Sequence, residues 1–78
     1  MRARVYVTPK VGVLDPAGKA IERGLHSLGF TEVVGVRLGK YIEVELAAGD
    51  GVEERLDRMC RQLLANGVIE DYRFEIGD

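Results

Sequence analysis

Val33–Leu46 (VVGVRLGKYIEVEL) constrains the fold more than any other stretch of this 78-residue chain. Val34, Val36 and Leu38 alternate with Gly35 and Arg37; Ile42, Val44 and Leu46 alternate with Glu43 and Glu45. Alternation at period two marks a strand with one buried face and one wet face. These apolar residues all occupy even positions, so an unbroken strand would gather them on one face and set Lys40 in their midst. A charge there needs a partner or an exit. Gly39 offers an exit, because glycine permits a bulge or bend that re-aims Lys40. Two geometries fit: a long strand bent at Gly39-Lys40, or a hairpin turning there through a type II′ turn. Lys and Tyr are poor turn residues, which favours the bent strand.

The flanks repeat a simple order. Arg2–Thr8 alternates, with Ala3, Val5 and Val7 on one face and Arg4, Tyr6 and Thr8 on the other, and Pro9 ends this first strand. Asp15-Pro16 is a strong helix start, the Asp as cap and the Pro at the first helical position. The helix reaches about Leu28, with Ile21, Leu25 and Leu28 as its stripe and Gly29 placed to end it. Gly24, costly in a helix interior, implies a close backbone approach to the sheet or to a neighbouring chain. A turn at Ala48–Gly51 precedes a second helix, Val52 to Ala65, whose apolar stripe is Val52, Leu56, Met59, Cys60 and Leu63. Glu54–Arg58 and Asp57–Arg61 are i,i+4 pairs on it. Asn66-Gly67 is expected to end this helix, and Val68–Ile76 forms the last strand, with Tyr72, Phe74 and Ile76 on one face.

The expected fold is therefore α+β: a small sandwich, β-α-β-α-β, with a long bent central strand and two helices on one face of the sheet. It becomes the ferredoxin-like βαββαβ if Gly39-Lys40 is a hairpin. Residues 1–78 are expected to form a single domain, and a chain this short is marginal alone, a shortfall that oligomerisation often remedies. The uncovered sheet face would carry Tyr6, Arg37, Tyr41 and Glu43. Such a sheet, with free edges, is a pairing surface, and a homodimer or tetramer is expected.

Composition removes several functions. Hydrophobic residues make up 46% and charged residues 31%, with a net charge of −2. An acidic chain is a poor phosphate-backbone binder, so no nucleic acid is expected. No apolar run approaches the ~18 residues of a membrane span, and no signal-peptide core leads the chain. Cytoplasmic localisation is the simplest expectation. His26 and Cys60, lying on different helices, are read as a surface histidine and a buried thiol rather than a metal pair. No nucleophile–base–orienter set assembles, and the glycines form no phosphate-binding fingerprint. Glu43 and Glu45 share a strand face, where solvated charge is far commoner than paired acid–base chemistry. What remains is Lys10, Arg37, Lys40 and Tyr41, three cations and an aromatic near one end of the sheet. They are read either as solvated surface or as a partner-protein contact, where Arg and Tyr are enriched.

Three segments carry a further signal: VYVTPKVGVLDPAGKAI (Val5–Ile21), VRLGKYIEVEL (Val36–Leu46) and CRQLLANGVIEDYRFEI (Cys60–Ile76). With LDP, GKY and VIEDY in this order, the whole chain resembles the PurS family, the small subunit of bacterial and archaeal phosphoribosylformylglycinamidine (FGAM) synthase. Gly67 departs from the family pattern, with consequences for one turn. The resemblance implies a non-catalytic subunit of a carbon–nitrogen ligase of purine biosynthesis. A PurQ-type glutaminase would release ammonia from glutamine. A PurL-type synthetase would use ATP and Mg to convert FGAR to FGAM. This chain would bind no cofactor, bridge the two and assist ammonia transfer, with Lys10, Arg37, Lys40 and Tyr41 at the contact. The family's dimer also looks like a fused domain of the single-chain form of the synthase, by analogy. The alternative is a small dimeric ferredoxin-like regulatory domain that binds an effector.

Overall fold

The computed structural model describes residues 1–77. Strand β1 (Arg2–Pro9) is flanked on both sides, antiparallel, by β2 (Lys40–Glu45) and β3 (Glu70–Gly77), in the order β2-β1-β3. The register places Val5 opposite both Ile42 and Phe74, and Ala3 opposite both Val44 and Ile76. Side chains alternate across a strand, so the apolar residues of all three strands share one face. That face is covered by α2 (Val52–Met59), which continues as a wider π turn, Cys60–Leu64. The core is small: Ala3, Val5 and Val7 lie against Leu56, Cys60 and Ala65, with Ile42, Val44, Tyr72, Phe74 and Ile76 packed around them.

Helix α1 (Pro16–Ser27) starts and stops where its caps place it. The Asp15 carboxylate accepts from the Gly18 N–H at 3.0 Å. At the other end Gly29, at φ 100°, closes the helix. The Gly29 N–H reaches the His26 carbonyl and the Phe30 N–H the Leu25 carbonyl, both at 3.0 Å. This double bond pattern is the Schellman motif, which needs a left-handed residue where Gly29 stands.

The expected α+β order and the three antiparallel strands are present, but the architecture differs in its first half. The strand expected across Val33–Leu46 enters the ladder only at Lys40, and no hairpin forms at Gly39-Lys40, so the ferredoxin-like variant is excluded. Residues 33–39 run instead along α1. The His26 ring Nε2–H donates to the Val33 carbonyl at 2.7 Å, and the Leu38 N–H donates to Asp15 Oδ2 at 3.0 Å. Residues 15 to 26 span about 17 Å of helix at ~1.5 Å per residue, and five residues cover that distance only when extended, at ~3.3 Å each. The alternation was therefore a true sign of extended chain, but its partner is a helix rather than a strand.

Nor do both helices lie on one sheet face. Only α2 does; α1 and residues 33–39 form an arm that projects from the end of the sheet. The radius of gyration is 15.8 Å, with extents of 50 × 27 × 14 Å. A closed domain of this length would have a radius near ~11.5 Å.

Two glycines hold the arm in place. A Cβ on Gly39 would lie 2.3 Å from the Val7 carbonyl oxygen, and one on Gly18 would lie 2.7 Å from the Val36 carbonyl oxygen. Gly24, expected at a close approach, meets nothing within 4 Å in its own chain.

The second helix also differs from expectation. Its last turn closes with an i→i+5 bond, Ala65 N–H to the Cys60 carbonyl at 2.9 Å, and Ala65 is already extended. Widening the turn shifts the helical phase. Leu64 joins the core in place of Leu63, which is 83% exposed. Asn66 is not the helix cap but the organiser of the next turn. Its side chain accepts from the Val68 N–H and its carbonyl from the Ile69 and Glu70 N–H groups. Gly67 has nothing within 4 Å and no positive φ, so the turn does not require glycine there. Of the two expected i,i+4 ion pairs, Asp57–Arg61 closes at 2.9 Å, and Glu54–Arg58 is not formed among the described residues.

Candidate functional site

The arm leaves the sheet beside Pro9, and the charged residues singled out in the sequence collect there. Pro9 ends β1 opposite Glu70, and the Lys10 N–H bonds the Ile69 carbonyl at 2.9 Å. The Lys10 ammonium lies 3.4 Å from Asp71. Lys40 stays on the apolar side of the sheet, opposite Val7, but at the last rung of the ladder. Its ammonium emerges there and meets Glu70 at 3.7 Å. It thus has a partner, and Gly39 is not what re-aims it. The Arg37 guanidinium donates to the Pro9 carbonyl, which ties the arm to the end of β1.

Lys10, Arg37 and Lys40 are therefore brought together around one sheet end. Tyr41 is not with them. It lies on the opposite sheet face, across from Tyr6, with the ring centroids 5.3 Å apart. Its hydroxyl donates to Glu43 at 2.8 Å. That hydrogen bond, then desolvation, pushes the phenol above its usual value. Arg37, expected on this same face, is off the sheet altogether. The face is instead completed by Arg73, whose guanidinium sits 3.9 Å from the Tyr6 ring centre and 3.3 Å from Glu75. The alternation of β3 put Arg73 and Glu75 on one face, but only the register sets them beside Tyr6.

Asp15 does more than cap. One oxygen holds the Gly18 N–H and the other the Leu38 N–H, so a single carboxylate joins α1 to the extended segment. The Leu38 bond first, then the Gly18 bond and the nearby Arg37 charge, hold its carboxyl below the ordinary carboxylate range. The cap was legible in the Asp-Pro pair; the bond to Leu38, 23 residues away, carried no local signal.

The remaining reactive groups stand apart. Cys60 is fully buried, and that burial pushes its thiol up, away from the reactive thiolate. His26 is on the arm and Cys60 on the helix over the sheet. No group of three or more metal-ligating side chains occurs among the described residues. The Tyr72 hydroxyl donates to Asp57 at 2.5 Å, a bond that fastens α2 to β3. Apolar side chains are exposed along the arm: Val34 is 98% exposed, Leu14 80% and Leu28 75%. The arm thus presents exposed apolar residues beside a charged sheet end.

Known proteins resemble the chain along almost its whole length. The family model for PurS, phosphoribosylformylglycinamidine (FGAM) synthase, matches residues 2–78. The phosphoribosylformylglycinamidine synthase subunit PurS of Synechocystis is 56% identical over 75 residues, covering 94% of this chain and 75% of the relative. The solved structure of Bacillus subtilis PurS, 45% identical, superposes with a TM-score of 0.91 over 99% of this chain and 98% of that one. A chain of the Thermotoga maritima PurLQS structure, 30% identical, covers 95% of this chain and 93% of its own length, with a TM-score of 0.75.

Proposed function

The chain belongs to the PurS family of FGAM synthase subunits, and from that premise we propose that it is the bridge between a glutaminase and a synthetase in that ligase. It takes part in purine biosynthesis as a subunit that does no chemistry of its own. The glutaminase supplies ammonia and the synthetase consumes it with ATP and Mg, which the synthetase holds. This chain works as one domain over residues 1–78, in the cytoplasm, and assists the passage of ammonia by holding its partners together. The regulatory-domain reading gives way to this one, because the family covers the whole chain.

The observation that carries the bridging role is the arm. A helix stripe belongs against a partner surface, yet Ile21 and Leu28 of the α1 stripe are exposed, as are Phe30 and Val34 beyond the helix, and α1 has no sheet beneath it. Residues 33–39 likewise leave their backbone outside any ladder. Both defects are relieved when a second copy supplies sheet edge and apolar face, so the chain acts as a homodimer or a dimer of dimers. Gly24, open in its own chain, is the point on α1 where that copy approaches closely.

Lys10, Arg37 and Lys40 at the sheet end, with Tyr41 on the opposite face, form the contacts to the larger subunits. Reversing Lys10 and Lys40 to Glu tests this. Assembly with both larger subunits should weaken on a sizing column while the circular dichroism stays unchanged. Unchanged assembly would remove these residues from the interface.

A further inference from the structure

Asn66-Gly67 is a motif that neither the fold nor the contacts to the larger subunits use. The turn does not demand glycine: Gly67 has no positive φ, and nothing lies within 4 Å of where its Cβ would stand. What glycine does supply is an unshielded backbone nitrogen beside the only asparagine of the sequence. Both residues are exposed. The Gly67 N–H makes no hydrogen bond among the described residues, and neither does the Asn66 side-chain NH2.

The turn brings this nitrogen and the side-chain amide together. Asn66 Oδ1 accepts from the Val68 N–H at 3.0 Å, which makes an Asx-turn. The ring closed by that bond contains both Asn66 Cγ and the Gly67 nitrogen, so the two reacting atoms are held within one turn. When the nitrogen attacks Cγ, negative charge collects on Oδ1, where the Val68 N–H already points. A donor fixed at a developing oxyanion favours such a step. Hydroxide removes the Gly67 N–H proton, the nitrogen bonds to Cγ, and the Cγ–Nδ2 bond breaks. The amide leaves as ammonia, taking its third proton from water, and a succinimide remains. Water then opens either imide bond. Cleavage at Cγ leaves aspartate. Cleavage at the main-chain carbonyl leaves isoaspartate, whose backbone runs through Cβ and Cγ.

We propose that Asn66-Gly67 is a spontaneous deamidation site whose isoaspartate product opens the charged end of the sheet. The Asn66 carbonyl accepts from the Ile69 N–H at 3.1 Å and the Glu70 N–H at 2.7 Å. In isoaspartate that carbonyl becomes a free carboxylate and leaves the main chain, so the turn loses the group that organises it. The start of β3 depends on this turn. Glu70 is the partner of Lys40 at 3.7 Å, and Asp71 is the partner of Lys10 at 3.4 Å. The Lys10 N–H bonds to the Ile69 carbonyl at 2.9 Å. Deamidation therefore sets a lifetime for the intact sheet end.

The test ages the full chain at neutral pH and physiological temperature and maps its peptides by mass spectrometry. The peptide containing Asn66 is expected to gain about one mass unit, the exchange of an amide for a carboxyl. It should split into two chromatographic forms, one of which accepts a methyl group from isoaspartyl methyltransferase. Asp50-Gly51 can also form a succinimide, but it loses and regains water and so returns to its starting mass. Gly67→Ala, for which there is room, should slow the gain about tenfold, about 1.4 kcal/mol on the barrier. The isoaspartate-rich fraction, enriched by anion exchange, should exchange the Lys10 and Glu70 amide hydrogens about tenfold faster than the unaged chain, a sign of local opening. The central Val5 amide should be unchanged. Asn66→Asp, with the charge but the ordinary backbone, should exchange like the wild type. An Asn66 peptide of unchanged mass, under conditions that modify a free Leu64–Asp71 peptide, means that the fold protects the site and overturns the proposal. So does an equal rate in Gly67→Ala, unaltered exchange at Lys10 and Glu70 in the aged fraction, or equally fast exchange in Asn66→Asp.

Discussion

Gly39→Ala perturbs the point where the arm leaves the sheet. The added methyl would stand 2.3 Å from the Val7 carbonyl oxygen and 3.3 Å from the Val7 carbonyl carbon and Thr8 Cγ2. An ordinary contact of this kind needs about 3.4 Å, so the two chains must part by about 1 Å. Val7 is completely buried, and its pairing with Lys40 is the last rung between β1 and β2. The carbonyl cannot retreat without moving the core, so the rung opens instead. Overpacking of this kind costs about 1–3 kcal/mol. A chain of this size has about 4–12 kcal/mol in total. At roughly 4–8 °C per kcal/mol for a small domain, the melting temperature should fall by about 5–20 °C. The assay is a thermal melt followed by circular dichroism at fixed protein concentration, because oligomerisation makes Tm depend on concentration. Gly67→Ala is the control: nothing lies within 4 Å of it, and its change should stay within about 0.5 kcal/mol. A Gly39→Ala protein that melts within about 2 °C of wild type would refute the reasoning.

Leu56→Ala removes a fully buried side chain from a core of few residues. A loss of about 2–5 kcal/mol is expected in urea unfolding, and a loss below about 1 kcal/mol would mean that α2 does not seal the sheet. Gly24→Ala should favour α1 by about 1 kcal/mol on propensity alone. It should nevertheless weaken self-association on dilution in sedimentation velocity, because the methyl intrudes where the second copy approaches; unchanged association would place that copy elsewhere. Asp15→Ala should destabilise the arm in a pH-dependent way. The Asp15 carboxyl is depressed in the folded chain from its ordinary value of 3.8. Its contribution is therefore complete above that value and is lost as pH falls through the folded pKa. Wild type and variant should thus differ in unfolding midpoint at neutral pH and converge only as pH falls below 3.8 and through the depressed folded pKa, whereas a constant offset would deny the carboxylate its role.

Features fixed by near neighbours were legible in the sequence. The alternation of β1, the Asp15-Pro16 start and the Gly29 stop of α1 each depend on a few adjacent residues, and each stands where it was expected. Features fixed by distant partners were not. The shared parity of Val34 to Leu46 is compatible with one strand or with two environments, and only the clash Gly39 avoids with Val7 divides it at Lys40. Leu63 matched the helical period, but the wider turn after Met59 changed the period itself. The charged cluster was half legible. Lys10, Arg37 and Lys40 meet at one end because the arm folds back on Pro9, while Tyr41 lies one residue beyond Lys40 and so faces the other way.

The most direct test is product formation by the glutaminase and synthetase with and without this chain, comparing glutamine and free ammonia as nitrogen donors. A bridging subunit should be needed for glutamine-dependent synthesis and dispensable for ammonia-dependent synthesis. If both rates are unchanged without it, and no complex forms on a sizing column, the bridging role is wrong.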